Sequence, residues 1–256
     1  MMMMIHRKCY IIRKGDFAVD ANKKIFYSLF SVALCLEDYR QKHSTDCFSI
    51  MAGSSIVWTL IETYLHVTNT RLMKPMYITR MNQRKILVPK PLAICLQGMQ
   101  EGGVVTTFGL FFGDRLSEPG YLVMFHAFIG YILLNVSSKE RISPNARVSS
   151  KRQVNTTGSL CLMGGITAYN IAELYHHPQH LQRQAGMFFA MIYVCAIWTL
   201  ISYYKNFRGV EVQVKGRHTD HYRVRKSHTD ALFILGYDVI FEIGVAYITF
   251  YNWFVL

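Results

Sequence analysis

The chain has 256 residues, of which 51% are hydrophobic and 14% aromatic, and its 28 lysines and arginines against 16 acids give a formal net charge of +12. Seven helices of about 20 residues would use about 140 residues, which leaves short connections and no room for a separate soluble domain. In a soluble chain this charge would point to nucleic acid. Here the basic residues are spread over four segments with no stacking-aromatic motif or zinc spacing, so nucleic acid is not an expected partner.

Residues 1–24 form a basic tail with six lysines and arginines. The apolar stretch 25–36 has the length of a signal-peptide core. Glu37 and Asp38 follow it, not a small-residue cleavage site, so it reads as an uncleaved first span extended by snorkelling of Lys23 and Lys24. Further spans are predicted over 47–67, 91–112, 120–137, 157–175, 184–204 and 231–256. Segments 1–24, 68–90, 138–156 and 205–230 carry 6, 6, 5 and 7 basic residues, whereas 37–46, 113–119 and 176–183 carry 2, 1 and 1. Cytoplasmic loops of membrane proteins hold such an excess. The expected fold is therefore all-α: a polytopic membrane helical bundle of about seven transmembrane helices. The basic tail 1–24 would be cytoplasmic, 25–256 would form one seven-span domain, and the C-terminus would lie on the opposite side. Membrane lipids are its surroundings, in the endoplasmic reticulum or a similar membrane if the host is eukaryotic. Loop 138–156 is polar and expected to be mobile. In 205–230 the alternation Val210, Val212, Val214 predicts a short hairpin. Gly53, Ser54 and Ser55, then Gly102 and Gly103, then Gly164 and Gly165 mark places where helices can approach closely in lipid.

Five acids fall inside the apolar spans: Glu62, Glu101, Glu173, Asp238 and Glu242. An ionised acid facing lipid costs about 2.5 kcal/mol or more, so these side chains should face the bundle interior, and desolvation should keep several of them protonated. Trp58, Glu62 and His66 recur at helical spacing and share a face, either as part of a site or as a pair tightening the bundle. Glu101 has Gln97 one turn before it and Gln100 beside it, which fits an interhelical network or a cavity wall. Asp238 and Glu242, four residues apart, suit a general acid, a proton or cation site, or a structural pair. Glu173 opens ELYHHPQH with His176, His177 and His180, and His218, His221 and His228 form a second group on the other side. One metal cannot bridge the two, so no metal site is expected. The six cysteines form no CxxC pair and read as free thiols. No Walker, GxSxG or HExxH motif occurs, and the last span has no lysine, so no cofactor is expected.

The segment EDYRQKHSTDCFSIMAGSSIVWTLIE and the late acid in GYDVIFEIGVAYI, with seven spans and intramembrane carboxyls, resemble the fungal integral-membrane terpene cyclases of meroterpenoid and indole-diterpene pathways. Those proteins protonate an epoxide or alkene of a polyprenyl chain. The resemblance implies a membrane enzyme of secondary-metabolite biosynthesis, a cyclase of the lyase or isomerase type acting on a lipidic or prenylated small molecule by general-acid catalysis. Glu62, Asp238, Glu242 and Glu101 would be the catalytic acids, and Trp58, Tyr64, His66 and Tyr237 would line the substrate site. That family commonly has glutamate directly after its tryptophan. Here Thr59 follows Trp58, and Glu62 comes later. The competing expectation is a proton or cation channel, or a small-solute transporter, using the same carboxylates.

Overall fold

The computed structural model describes residues 8–14, 20–71, 75–80, 82–143, 146, 148–214 and 221–256. Seven helices follow one another: α1 (Ala21–Lys42), α2 (Asp46–Val67), α3 (90–113), α4 (Pro119–Ser137), α5 (Thr157–His176), α6 (Leu181–Tyr204) and α7 (His228–Phe254). Among the described residues there are six strands, β1 (Cys9–Lys14) before the first helix and, between helices, β2 (Tyr77–Thr79), β3 (Lys85–Leu87), β4 (Val148–Gln153), β5 (Arg208–Val214) and β6 (His221–Arg225).

Each helix coincides with an apolar stretch of the sequence. Helix α1 outruns its stretch at both ends. The Asp20 carboxylate caps its first turn by accepting from the Asn22 amide, and His43 at φ 52° closes its last. Pro91 and Pro119 stand in the first turns of α3 and α4, where a missing N–H costs nothing. Helices α3 and α7 widen into π-helical turns over Met99–Val104 and Leu235–Val245, the turns that carry Glu101, Asp238 and Glu242.

Four helices, α2, α4, α6 with its leading turn, and α7, are long and apolar enough to cross a membrane. Only 17% to 39% of their apolar windows is buried within the chain. Leu60, Val123 and Leu134 on these helices, and Leu162 and Ile171 on α5, point outward.

The connecting segments depart from the all-α expectation. Strands β4-β1-β5-β6 form one antiparallel sheet, and β2 pairs with β3. The predicted hairpin in 205–230 is β5–β6. Segment 138–156, expected to be mobile, supplies β4 at the sheet edge, and the tail supplies the central strand β1. Bridges from Asp20 to Tyr77 and from Arg71 to Ser150 tie segment 68–90 to the same place. The four basic segments therefore converge at one end of the bundle. The other three connections meet at the opposite end, where Asp38 pairs with Arg115 at 2.6 Å and Arg183 joins Asp46 to Asp114. Each helix runs from one end to the other.

Between these ends lies an apolar layer that includes Leu110, Phe111, Phe112, Met187, Ala190 and Phe250. Close packing of α3 on α2 depends on Gly102 and Gly103. A Cβ at Gly102 would strike the Ser54 carbonyl and Trp58, and one at Gly103 the Ser55 hydroxyl and the Met51 carbonyl. Gly164 and Gly165 have nothing within 4 Å of an added Cβ, so the approach expected there does not occur within the chain.

Candidate functional site

Four of the five acids in the apolar stretches form two pairs near the sheet end of the bundle. Each pair is held by arginines from connecting segments. Glu62 on α2 is fully buried and accepts from Arg71 Nη1, which also lies 3.2 and 3.3 Å from the two carboxylate oxygens of Glu101 on α3. His66, one turn beyond Glu62, places Nε2 3.5 Å from Glu62 Oε2 and Nδ1 2.8 Å from the Arg71 carbonyl. Gln97 donates its amide to Glu101, and Lys24 of α1 donates to Gln97 at 2.6 Å and to Gln100. The Tyr247 hydroxyl on α7 donates to the Glu101 carbonyl at 2.6 Å, and the Tyr247 ring meets Trp58 edge-on at 5.8 Å.

The second pair lies on α7. Arg152 of β4 donates to Asp238 at 2.8 Å and to both oxygens of Glu242 at 2.6 and 2.8 Å, and Arg208 of β5 donates to the other Asp238 oxygen. The Tyr237 ring lies 5.0 Å from the Arg152 guanidinium, and its hydroxyl bonds Ser159 at 2.9 Å.

Strand register explains why the arginines arrive there. Across the sheet, Arg13 stands opposite Arg208 and Ser150, and Ile11 opposite Val210 and Arg152. Directly paired residues share a face. One face of the sheet therefore presents Arg13, Arg152 and Arg208 to the helices, with Ile11 and Val210 packed on Tyr203, Ala231 and Ile234. Arg71 reaches the same edge by its bridge to Ser150. Burial, and then the neighbouring Arg13 guanidinium, push the Arg208 guanidinium down to about 10. Arg71 and Arg152 are held above their usual value: burial opposes their charge, but Glu101 and Glu62 overcome it at Arg71, and Glu242 and Asp238 at Arg152.

These contacts place guanidiniums against carboxyls that the sequence suggested would sit in a dry site. Asp238 and Glu242 have two guanidiniums between them, those of Arg152 and Arg208. Glu62 and Glu101 share one guanidinium, and Glu62 Oε2 is buried without a hydrogen-bond partner. The sequence placed every basic residue outside the spans. It did not reveal that three arginines, Arg71, Arg152 and Arg208, fold back onto the helix acids. Tyr64 is also corrected: it is 67% exposed on the outer face of α2 and lines nothing with Trp58. Trp58, Glu62 and His66 share an inward face as their spacing predicts.

Glu173 is half-buried and away from both pairs, while its neighbour Asn170 donates to the Val245 carbonyl at 2.7 Å. His180 bonds the Tyr251 hydroxyl at 2.6 Å, which ties that histidine to α7. His218 and the side chain of His221 lie outside the described residues. Among the described residues no three of His, Cys, Asp and Glu come together as a metal site would require.

A cavity of about 470 Å3 lies beside the first acid pair, between α1, α3, α4 and α6. Its end nearest the sheet is polar, with Asp20, Lys23, Lys24, Gln100, Asn135 and Lys139. Its deeper wall is apolar, with Val104, Val105, Phe108, Phe128, Met191 and Val194. Glu62, Asp238 and Glu242 are absent from its lining, and Glu101 connects to it through the hydrogen-bonded chain Glu101–Gln97–Lys24. No family model, curated protein or solved structure matches the chain.

Proposed function

We propose that this chain is an integral membrane protein with seven crossings, its sheet on the cytoplasmic side, and that it binds a lipidic small molecule in the cavity between α1, α3, α4 and α6. The observation that carries this reading is the cavity's two-part wall. Ligand sites of about 300–1,000 Å3 are lined mainly by apolar side chains with a few placed polar groups, and this cavity has that form. The gathering of all four basic segments at one end supports the orientation.

Acid catalysis on a prenyl substrate draws less support from the geometry, because the carboxyls assigned to it lie behind the cavity wall and are clamped by arginine. A proton passing to a ligand there would leave from Lys24, which is in the wall, with the glutamines and Glu101 behind it. A channel draws less still: the apolar layer from Leu110 to Phe112 on α3, packed on Met187 and Ala190 of α6, separates the two polar ends.

The test is native mass spectrometry of the full chain purified in mild detergent. A bound amphiphile should accompany the wild type and be lost from Val105→Trp, which fills the deeper end. Equal lipid on both proteins, or none on either, would remove the proposal.

A further inference from the structure

We infer that the ligand of this cavity carries a phosphate head, seated by Lys23, Lys24 and Lys139, with its apolar tail against Phe108, Phe128 and Met191. The inference rests on the lipid-binding reading above and deepens it. The polar end of the wall presents three lysines and one carboxylate, Asp20. An ammonium has three donors. Lys24 uses two, to Gln97 and Gln100, and Lys23 uses one, to Asn135 at 3.2 Å. Donors therefore remain for a phosphate oxygen in the wall of a cavity that already excludes much of the solvent: Lys24 is only 4% exposed. Burial first, and the Lys23 ammonium second, push the Lys139 ammonium below its usual value, while Asp20 opposes this. The lysines stand in the first turn of α1 and just beyond α4, at the end of the bundle where the basic segments gather. Anionic lipids are concentrated in the leaflet that such segments face. A phosphate at that level would let its tail run toward the middle of the bundle.

The same phosphate chemistry could come from a phospholipid or from a prenyl diphosphate, so the experiment has an arm for each. Purified full-length protein is titrated with phosphatidic acid and its neutral counterpart diacylglycerol, and with farnesyl diphosphate and its neutral counterpart farnesol, by intrinsic fluorescence and native mass spectrometry. In at least one arm the phosphate form should bind roughly tenfold or more tighter than its neutral counterpart, and Lys23→Gln/Lys139→Gln should erase that preference, at roughly tenfold per lysine for a charge-assisted bond. Lys139→Arg should keep it, which separates lost charge from lost folding. The arm showing the larger preference identifies the source. Equal binding of charged and neutral forms in both arms, with Val105→Trp still blocking both, would overturn the phosphate assignment and leave the lipid-binding reading standing. Absence of all binding would remove both.

Discussion

Arg71→Met removes the one guanidinium that Glu62 and Glu101 share, and its cost follows from burial. The Glu62 side chain is 0% exposed, Arg71 20% and Glu101 23%. Taking away one partner of a buried pair costs about 3–5 kcal/mol, because the remaining charge is left unsolvated. Partial exposure of Arg71 and Glu101 lets water compensate in part, which puts the expected loss near 3 kcal/mol. For a chain of this size each kcal/mol moves the melting temperature by roughly 2–4 °C, so the drop should be on the order of 6–12 °C. The assay is thermal unfolding of the detergent-solubilised protein, followed by tryptophan fluorescence and by loss of the monodisperse peak. The triple variant Arg71→Met/Glu62→Gln/Glu101→Gln removes the charges together and should regain most of the lost stability. A single variant melting within a degree or two of the parent, or a triple variant melting below the single one, would show that the guanidinium does not neutralise this pair.

Asn135 and Asn155 stand in glycosylation sequons at the sheet end, and the Asn155 side-chain carbonyl accepts from the Cys9 amide at 3.1 Å. Both should stay unmodified in a eukaryotic host, and a glycan on Asn155 would reverse the orientation. At the opposite end, hydrogen bonds from Arg40 first and from the Tyr121 hydroxyl next hold Glu37 down to about 2. Its folded-state value lies below the ordinary carboxylate value. Whatever stability it adds is therefore present above that ordinary value and is lost as the pH falls through about 2. Acid titration of the wild type and Glu37→Gln should show curves that differ at pH 5 and merge near pH 2; a constant offset would refute this. Gly102→Leu should destabilise by about 1–3 kcal/mol, because the Ser54 backbone it strikes cannot swing aside. Gly164→Leu meets open space and should gain up to about 1 kcal/mol from helix propensity. Equal melting of these two variants would undo the assignment of α3 packed on α2.

The helices were legible because each requires an unbroken apolar stretch, and such stretches are visible one at a time. Helix α2 begins and ends within a residue of the predicted span, and α4 matches as closely. The inward face of Trp58, Glu62 and His66 also followed from local spacing. The sheet was legible only where its strands are neighbours in the chain, as in β5–β6. Pairing β1 with β4 and β5 joins residues far apart in sequence, and nothing in CYIIRK names its partners. The same gap hid the clamp on the acids. Charge counting assigned Arg71, Arg152 and Arg208 to loops, which is correct, yet loop membership does not tell whether a long side chain points to water or back into the bundle. The cavity was illegible for a related reason, since its wall combines four helices and a residue beyond the end of one of them.

The basic bias of the sheet end therefore has two parts that composition cannot separate. Lysines exposed to solvent can set orientation by charge alone. The arginines do something more specific: Arg71, Arg152 and Arg208 contact acids directly, and Arg13 lies within electrostatic reach of Glu62, Glu101 and Glu242. Like charges standing opposite one another, as Arg13 and Arg208 do, disfavour a sheet by themselves. On this face Arg152 and Arg208 meet Asp238 and Glu242 of α7, while Arg71, bridged to the sheet edge at Ser150, meets Glu62 of α2 and Glu101 of α3. Those contacts offset the repulsion between the paired arginines and join the sheet to the helices, so the acids have a docking role whatever chemistry they serve. What remains for ligand chemistry is the neighbouring cavity, where Lys23, Lys24 and Lys139 bring positive charge that only Asp20 offsets within the wall.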